Sequence, residues 1–372
     1  MEREYPNNSD VSEIERFINV CDDCGLCMNE CDFLQKYCKS PKELAVRYKK
    51  DGFKCDPQIP FSCNDCSLCN VRCPEGLDVG KMTMEMRREM LSGGTINLPG
   101  VMMTQKLGEL FASDMVKAII PAEGKTTQVF FPGCTQVRYV PDSVIKTFEY
   151  LKAKMPGTGM ILGCCGYPPY YICDDKTYEK DYTHIMDGVK KLGADRVIIA
   201  CGGCYDIFKK HYPDLNIVSL YTVLDEIGVP PIITKPETLY IHDLCSTRYE
   251  PDIHASTRSV LKKAGYNILD MPHSRKETQC CGSGGMVITL DPALGQVTAK
   301  RTLKDVDGNI VTYCSTCMEF FKRGNRHAVH ILDLIFNPEW EKALNSPATT
   351  LEDGNKNMIY VKNKMTSTYK AL

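Results

Sequence analysis

Along this chain, short runs of β-branched and aromatic residues alternate with longer amphipathic stretches. Gln128 to Phe131, Met160 to Leu162, Arg196 to Ala200, Leu239 to His242, Asn267 to Asp270 and Asn309 to Tyr313 read as strands. Helical stretches follow them. Two of these, Pro141 to Lys154 and Pro251 to Lys263, open with Pro-Asp, which suits the first turn of a helix. Strand and helix in alternation predict parallel α/β units. Before residue 128 the pattern differs. Glu75 to Ser92 is dense in Met, Arg and Glu and predicts a helix stopped by Gly93-Gly94. Residues 93–128 carry Gly and Pro around an amphipathic piece, Leu107 to Ile120, and read as a connector. Seven of the 17 methionines fall between Met82 and Met115, which suits flexible apolar packing or a docking face. From Asn345 to Leu372 the chain is polar and predicts no element.

The α/β part repeats itself. Cys134 is followed by Arg138-Tyr139-Val140-Pro141-Asp142, and Cys245 by Arg248-Tyr249-Glu250-Pro251-Asp252. Adjacent cysteines with a glycine come next, Cys164-Cys165-Gly166 and Cys280-Cys281-Gly282. Cys201-Gly202-Gly203-Cys204 and Cys314-Ser315-Thr316-Cys317 complete the two series. Equivalent cysteines are offset by 111, 116 and 113 residues, so this region is a duplication. Its cysteines fall past the C-terminal ends of the expected strands, where open α/β sheets place ligands. The two halves are expected to face each other about a pseudo-twofold axis.

Length and composition narrow the function. The 372 residues allow two to three domains at about 150 each. A formal charge of −2 offers no electrostatic footprint for nucleic acid. No apolar run approaches the roughly 18 residues of a membrane span, and the first ten residues lack the apolar core of a secretory signal. The expectation is a cytoplasmic protein without a transmembrane segment, able to sit at a membrane through a partner. The abnormal figure is 21 cysteines. In a reducing compartment, so many thiols point to metal rather than to disulfides.

Two blocks, Cys21, Cys24, Cys27 and Cys31, then Cys63, Cys66, Cys69 and Cys73, share the spacing Cys-x2-Cys-x2-Cys-x3-Cys. This resembles the bacterial ferredoxin pattern, in which three cysteines of one loop join the fourth of the other around each cubane. On that rule Cys21, Cys24, Cys27 and Cys73 hold one 4Fe–4S cluster, and Cys63, Cys66, Cys69 and Cys31 the other. Zinc also favours Cys-x2-Cys pairs, but has no use for four cysteines in one short loop. In the duplicated part five cysteines converge per half: Cys134, Cys164, Cys165, Cys201 and Cys204, then Cys245, Cys280, Cys281, Cys314 and Cys317. Five exceed the needs of a cubane, and neighbouring side chains diverge in extended backbone. A larger, more open cluster follows.

These motifs resemble the duplicated cysteine-rich domain of heterodisulfide reductases. With the ferredoxin part in the same chain, residues 15 to about 335 look like the D-type component of those enzymes, a fusion of their C-type and B-type components. The resemblance uses 18 of the 21 cysteines. It implies a mixed α+β and α/β fold: a helical two-cluster ferredoxin domain over 1–92, a connector over 93–128, α/β subdomains over 129–236 and 237–344, and a tail over 345–372. It also implies two cubane and two non-cubane 4Fe–4S clusters, the latter pair flanking a small thiol or disulfide substrate. Electrons would come from a flavoprotein or membrane cytochrome partner. The alternative is a relay component of an anaerobic dehydrogenase complex acting on glycerol-3-phosphate or a hydroxy acid. An open cavity between the two five-cysteine sets would favour catalysis, and closed packing there would favour relay.

The remaining candidates are fewer. Arg138 and Arg248 recur beside equivalent cysteines and are candidates for binding an anionic substrate or balancing cluster charge. His242 and His273 precede Cys245 and Cys280 and are candidates for protonating a product thiolate. Cys38 and Cys55 read as buried small hydrophobes, and Cys173 is left over. Gly282-Ser283-Gly284-Gly285 lacks the Lys-Ser/Thr of a phosphate loop, so nucleotide binding is not expected there.

Overall fold

The computed structural model of the chain describes residues 12–54, 56–92, 96–230 and 237–372. It contains two sheets. The first has β1 (Ala118–Ile120), β2 (Gln128–Phe131), β3 (Thr158–Leu162), β4 (Arg196–Ile199) and β5 (Ile217–Ser219), in the order β1-β3-β2-β4-β5. The second has β6 (Thr238–His242), β7 (Asn267–Asp270), β8 (Ile310–Thr312) and β9 (Ala328–His330), in the order β7-β6-β8-β9. Apart from β1, every pairing is parallel. The order β3-β2-β4-β5 therefore repeats as β7-β6-β8-β9, and the duplication read from the cysteines is a duplication of topology. Val129, Phe130, Ile161 and Ile198 in one sheet and Leu239, Ile241 and Val311 in the other are almost wholly buried, as helix-covered parallel strands require.

The halves exchange contacts reciprocally. Helix Leu220–Ile227 of the first half packs on Pro251–Lys263 of the second, and Ile331–Phe336 of the second packs on Pro141–Lys154 of the first. Likewise Gly202–His211 meets the turn at Cys245–Thr247, and Ser315–Arg323 meets Cys134–Tyr139. This is the pattern a pseudo-twofold axis produces.

Three features depart from the sequence reading. The expected amphipathic piece Leu107 to Ile120 is not one element. A helix over Pro99–Phe111 ends, and Ala118 to Ile120 turns back as β1, antiparallel to β3. The polar tail carries an 18-residue helix, Leu351–Thr368, which buries Gly354, Met358, Val361 and Met365 along one stripe. It lies on Cys134–Tyr139, Pro141–Lys154 and β1. The helix expected from Glu75 spans Val79–Ser92, and its expected stop, Gly93-Gly94, lies outside the described residues.

The ferredoxin part builds its own core from Ile14, Phe17, Phe33, Leu44, Met82 and Met86, with Leu294 of the second half packed into it. Arg87, fully buried, fastens it to both halves. Its guanidinium donates to the carbonyls of Pro60 (2.9 Å), Cys63 (3.0 Å), Tyr171 (3.2 Å) and Gly285 (3.3 Å). Gly284 and Gly285 make the close approach possible. A Cβ on Gly284 would stand 2.5 Å from Asn64 O, and one on Gly285, at φ 56°, 2.5 Å from Cys63 O. The glycine run that resembled a phosphate loop is thus the seat of the second ferredoxin loop.

Candidate metal centre

Three cavities collect the cysteines. The outermost, about 20 Å³, is lined by Cys21, Cys24, Cys27 and Cys73 together with Cys69, and bordered by Asp22, Asp23 and Glu75. Cys24 is exposed. The second, about 30 Å³, gathers Cys31, Cys63, Cys66 and Cys69, with Cys27 on its wall and Cys280 of the second half reaching in. Each of these two cavities thus gathers the three cysteines of one loop with the fourth of the other, and Cys27 and Cys69 line both. Burial pushes these thiols up, Cys27 to about 11, Cys63 to about 12 and Cys66 to about 11. Assembly of metal on them must release protons.

The third cavity, about 400 Å³, lies between the two halves. Eight cysteines line it: Cys134, Cys165, Cys201 and Cys204 from the first, and Cys245, Cys281, Cys314 and Cys317 from the second. Cys164 and Cys280 lie behind them, almost fully buried. Most arrive directly from strand ends, Cys134 after β2, Cys164-Cys165 after β3, Cys201 after β4, Cys245 after β6 and Cys314 after β8. Cys280-Cys281 instead follow β7 after nine residues, 271–279, so the strand-end rule fails there.

The two sets share one electrostatic arrangement. A hydrogen bond from Cys134, then one from Cys165, and the Gly166 amide hold the Cys164 sulfur well below the usual thiol range. Cys245, Cys281 and the Gly282 amide do the same for Cys280. Backbone crowds the sulfurs: a Cβ on Gly133, at φ 83°, would lie 2.8 Å from Cys204 Sγ. All-thiol donor sets with glycine backbone drawn up to them fit iron–sulfur groups. Among the described residues no three His, Cys, Asp or Glu side chains close around a single ion.

The other candidates separate. Arg138 reaches the cavity wall, but its guanidinium is taken by the C-terminal helix, donating to Asn355 Oδ1 (2.7 Å) and Leu351 O (2.9 Å). Arg248 is not in the cavity lining; it donates to backbone carbonyls of Cys66, Lys276 and Thr278. The expectation that it meets a substrate is corrected: its donors are spent on backbone carbonyls, one in the ferredoxin loop and two in its own half. His242 is corrected too. Its Nε2 faces Gln279 O at 3.2 Å, its ring packs edge-on against Phe321, and burial holds it below the usual histidine range. It is a buried core residue outside the lining, and His273 does not line the cavity either. Cys38 is half-buried rather than buried, donating to Leu34 O, and Cys55 lies outside the described residues.

Sequence reasoning missed the cavity's apolar wall, Met103, Leu107 and Phe111 from the connector helix with Met286 and Ile288 from the segment packed beside it, and missed Arg323 in the lining. Arg323 is exposed and has no ion pair among the described residues. The lining holds no Asp, Glu or His. No helix among the described residues is long and apolar enough to cross a membrane.

Comparison with known proteins agrees with this layout. The 4Fe-4S dicluster domain family matches residues 20–78, and the cysteine-rich domain family matches twice, over 128–209 and 239–322. Among curated proteins, the D-type component of dihydromethanophenazine:CoB–CoM heterodisulfide reductase from Methanosarcina mazei is 23% identical over 82% of this chain and 88% of its own. The B-type component of fumarate reductase (CoM/CoB) from Methanothermobacter marburgensis is 23% identical over 85% of this chain and 71% of its own. An EtfAB:quinone oxidoreductase of Syntrophomonas wolfei is 20% identical over 78% of this chain, which covers 46% of that relative. One solved structure, an aspartate racemase homologue from Pyrococcus horikoshii, matches 65% of this chain and 100% of its own at 12% identity and a TM-score of 0.24, too slight to argue from. A dicluster ferredoxin domain joined to a duplicated cysteine-rich domain, with relatives that are oxidoreductases or parts of them, makes this chain an iron–sulfur oxidoreductase similar to the D-type component of heterodisulfide reductase.

Proposed function

We propose that this chain is the disulfide-reducing component of an electron-transfer complex. Cys21, Cys24, Cys27 and Cys73 hold one cubane, and Cys31, Cys63, Cys66 and Cys69 the second. The two five-cysteine sets each hold a non-cubane 4Fe–4S cluster. When bound, the clusters supply one-electron storage and iron atoms able to take up sulfur. Single electrons from a flavoprotein or membrane cytochrome partner enter the ferredoxin part. In the cavity two electrons and two protons convert one disulfide to two thiols. The chain's own residues prepare that space: an apolar wall lines part of it, and the reciprocal helix contacts keep the two cysteine sets opposed.

The observation that carries the reading is the cavity of about 400 Å³ with cysteines of both halves on its wall. A relay needs contact between carriers, not space for a third molecule. The likeness to an EtfAB:quinone oxidoreductase favours, as a second reading, relay within a larger complex. Anaerobic purification with metal analysis separates the two readings. Four clusters of four irons give about 16 irons per chain with negligible zinc, and electron paramagnetic resonance signals change on adding a disulfide. About eight irons, with no response to disulfides, would leave only the relay.

A further inference from the structure

The two buried arginines at the second ferredoxin loop are unequal, and one lies between two cysteine sets. Arg248 is 2% exposed. Its Nε donates to Cys66 O at 2.9 Å, its Nη2 to Thr278 O at 2.6 Å, and its Nη1 to Lys276 O. All three acceptors are neutral carbonyls, and no carboxylate pairs with it among the described residues. Thr278 precedes Cys280 by two residues, and Cys66 and Cys280 line the same small cavity. The guanidinium is therefore wedged where the inner ferredoxin set meets the second half.

Carbonyls solvate a guanidinium but do not neutralise it. A cation buried without a counter-ion is costly, so this guanidinium calls for an anion close by. Iron–sulfur clusters held by thiolates are net negative, and reduction adds one more negative charge. A fixed positive charge beside such a group favours its reduced form, strongly so where water cannot screen it. Other charges stand nearby. Arg87 binds the Cys63 carbonyl and Asp65 lies in the same loop, so these two oppose each other. Asp78, 3.8 Å from Cys69 Sγ, acts against Arg248. Glu30, Asp32 and Arg301 also line the inner cavity, Arg301 paired with Asp32, whereas the outer set, with Cys24 exposed, is bordered by the acidic Asp22, Asp23 and Glu75.

We propose that Arg248 is a positioning residue whose unpaired charge raises the reduction potential of the group held by Cys31, Cys63, Cys66 and Cys69, and so draws electrons inward from the outer site. The inference rests on the functional reading above. In the transfer it biases, the outer site is oxidised by one electron and the inner reduced by one, with no bond or proton moved. The test is a redox titration of the anaerobic full chain followed by electron paramagnetic resonance, the inner signal being the one lost in Cys66→Ser. In Arg248→Gln, at the potential that half-reduces the inner site of the natural chain, the ratio of reduced to oxidised inner signal falls about tenfold, 59 mV for a one-electron couple. The outer signal keeps its midpoint. Arg248→Lys keeps the charge while losing the planar fork, and its inner signal titrates within about twofold of the natural chain. It serves alone if the glutamine variant fails to fold. An unshifted Arg248→Gln with full iron content overturns the proposal, and so does a tenfold drop in Arg248→Lys. A Cys66→Ser chain that loses no signal overturns the functional reading itself.

Discussion

The two halves of the duplicated domain carry the same arginine four or three residues after the same cysteine, yet the arginines do different work. Arg138 follows Cys134 and holds the C-terminal helix through Leu351 and Asn355. Arg248 follows Cys245 and holds the second ferredoxin loop through Cys66. Each half thus presents an equivalent docking place, filled on one side by the chain's own tail and on the other by its ferredoxin part. The cysteines preserved the symmetry of the duplication; their surroundings did not. Chemistry at the shared cavity is therefore expected to need both halves, while stability and electron entry should treat them unequally.

The largest effect is expected where the halves act together. If a disulfide lies between the two sets, Cys165→Ser or Cys281→Ser alone lowers its reduction by a chemical donor at least about 100-fold, and the double variant costs little more, as for groups acting as one unit. Substantial turnover in either single variant, with an unchanged circular dichroism spectrum, breaks the two-set mechanism.

The next test separates the two docking places. In Gly285→Ala the new methyl meets backbone, Cys63 O, at a residue already in the left-handed region. Loss of about 2–4 kcal/mol is expected, read as early proteolysis between the ferredoxin part and the rest. In Gly354→Ala the methyl meets only the Arg138 side chain, 2.6 Å from Nε. A side chain gives way more readily than backbone, at the cost of one of the Arg138 hydrogen bonds to Asn355 and Leu351, so about 1 kcal/mol is expected, the smallest effect of the series, read as a melting shift of a few degrees.

Between these lies a pH test on the reciprocal helix contacts. At one junction Ser143 of the first half donates to Asp333 of the second at 2.6 Å. Burial lifts the Asp333 carboxyl to about 6. At the other, burial opposes ionisation of Asp225, but Ser259 and Lys263 outweigh it and hold the carboxyl below its usual range. The signs are opposite. Asp333 keeps its proton in the folded chain above the pH at which the unfolded chain loses it, so its junction weakens as pH rises from about 4 to 6. Asp225 contributes stability above its unfolded value that is lost as pH falls. Asp333→Asn should therefore raise stability at pH 7 by about 1–2 kcal/mol and do little at pH 4. Asp225→Asn should lower stability at pH 7. Thermal unfolding across pH checks both, and identical profiles would remove the distinction.

Much of this was legible beforehand because cysteine spacing anchors the reading. β2, β3, β4, β6, β7 and β8 are legible as β-branched runs ahead of cysteines, and two helices begin at their Pro-Asp turns. β1, β5 and β9 are three residues each and, unlike the equally short β8, lead to no cysteine; β1 pairs with a free edge of β3. The C-terminal helix was hidden by its polar composition, although Gly354, Met358, Val361 and Met365 follow helical spacing. Arg248 and His242 were misjudged for another reason. Nearness in sequence to a ligand does not say which way a side chain turns, and both turn from the cavity into packing that depends on residues 28 to 182 positions away.

The seating of the second ferredoxin loop also has a consequence for how the protein is made. The carbonyl of Cys66 waits for a guanidinium 182 residues downstream. At ribosomal speeds of about 5–20 residues per second, the loop exists for roughly 10–40 s before its cover has been synthesised. During that interval the cavity of Cys63, Cys66 and Cys69 lacks the side that Cys280, Thr298 and Arg301 supply. The order of biosynthesis, more than the depth of the finished site, then decides when iron must be delivered: before the second half closes over the loop.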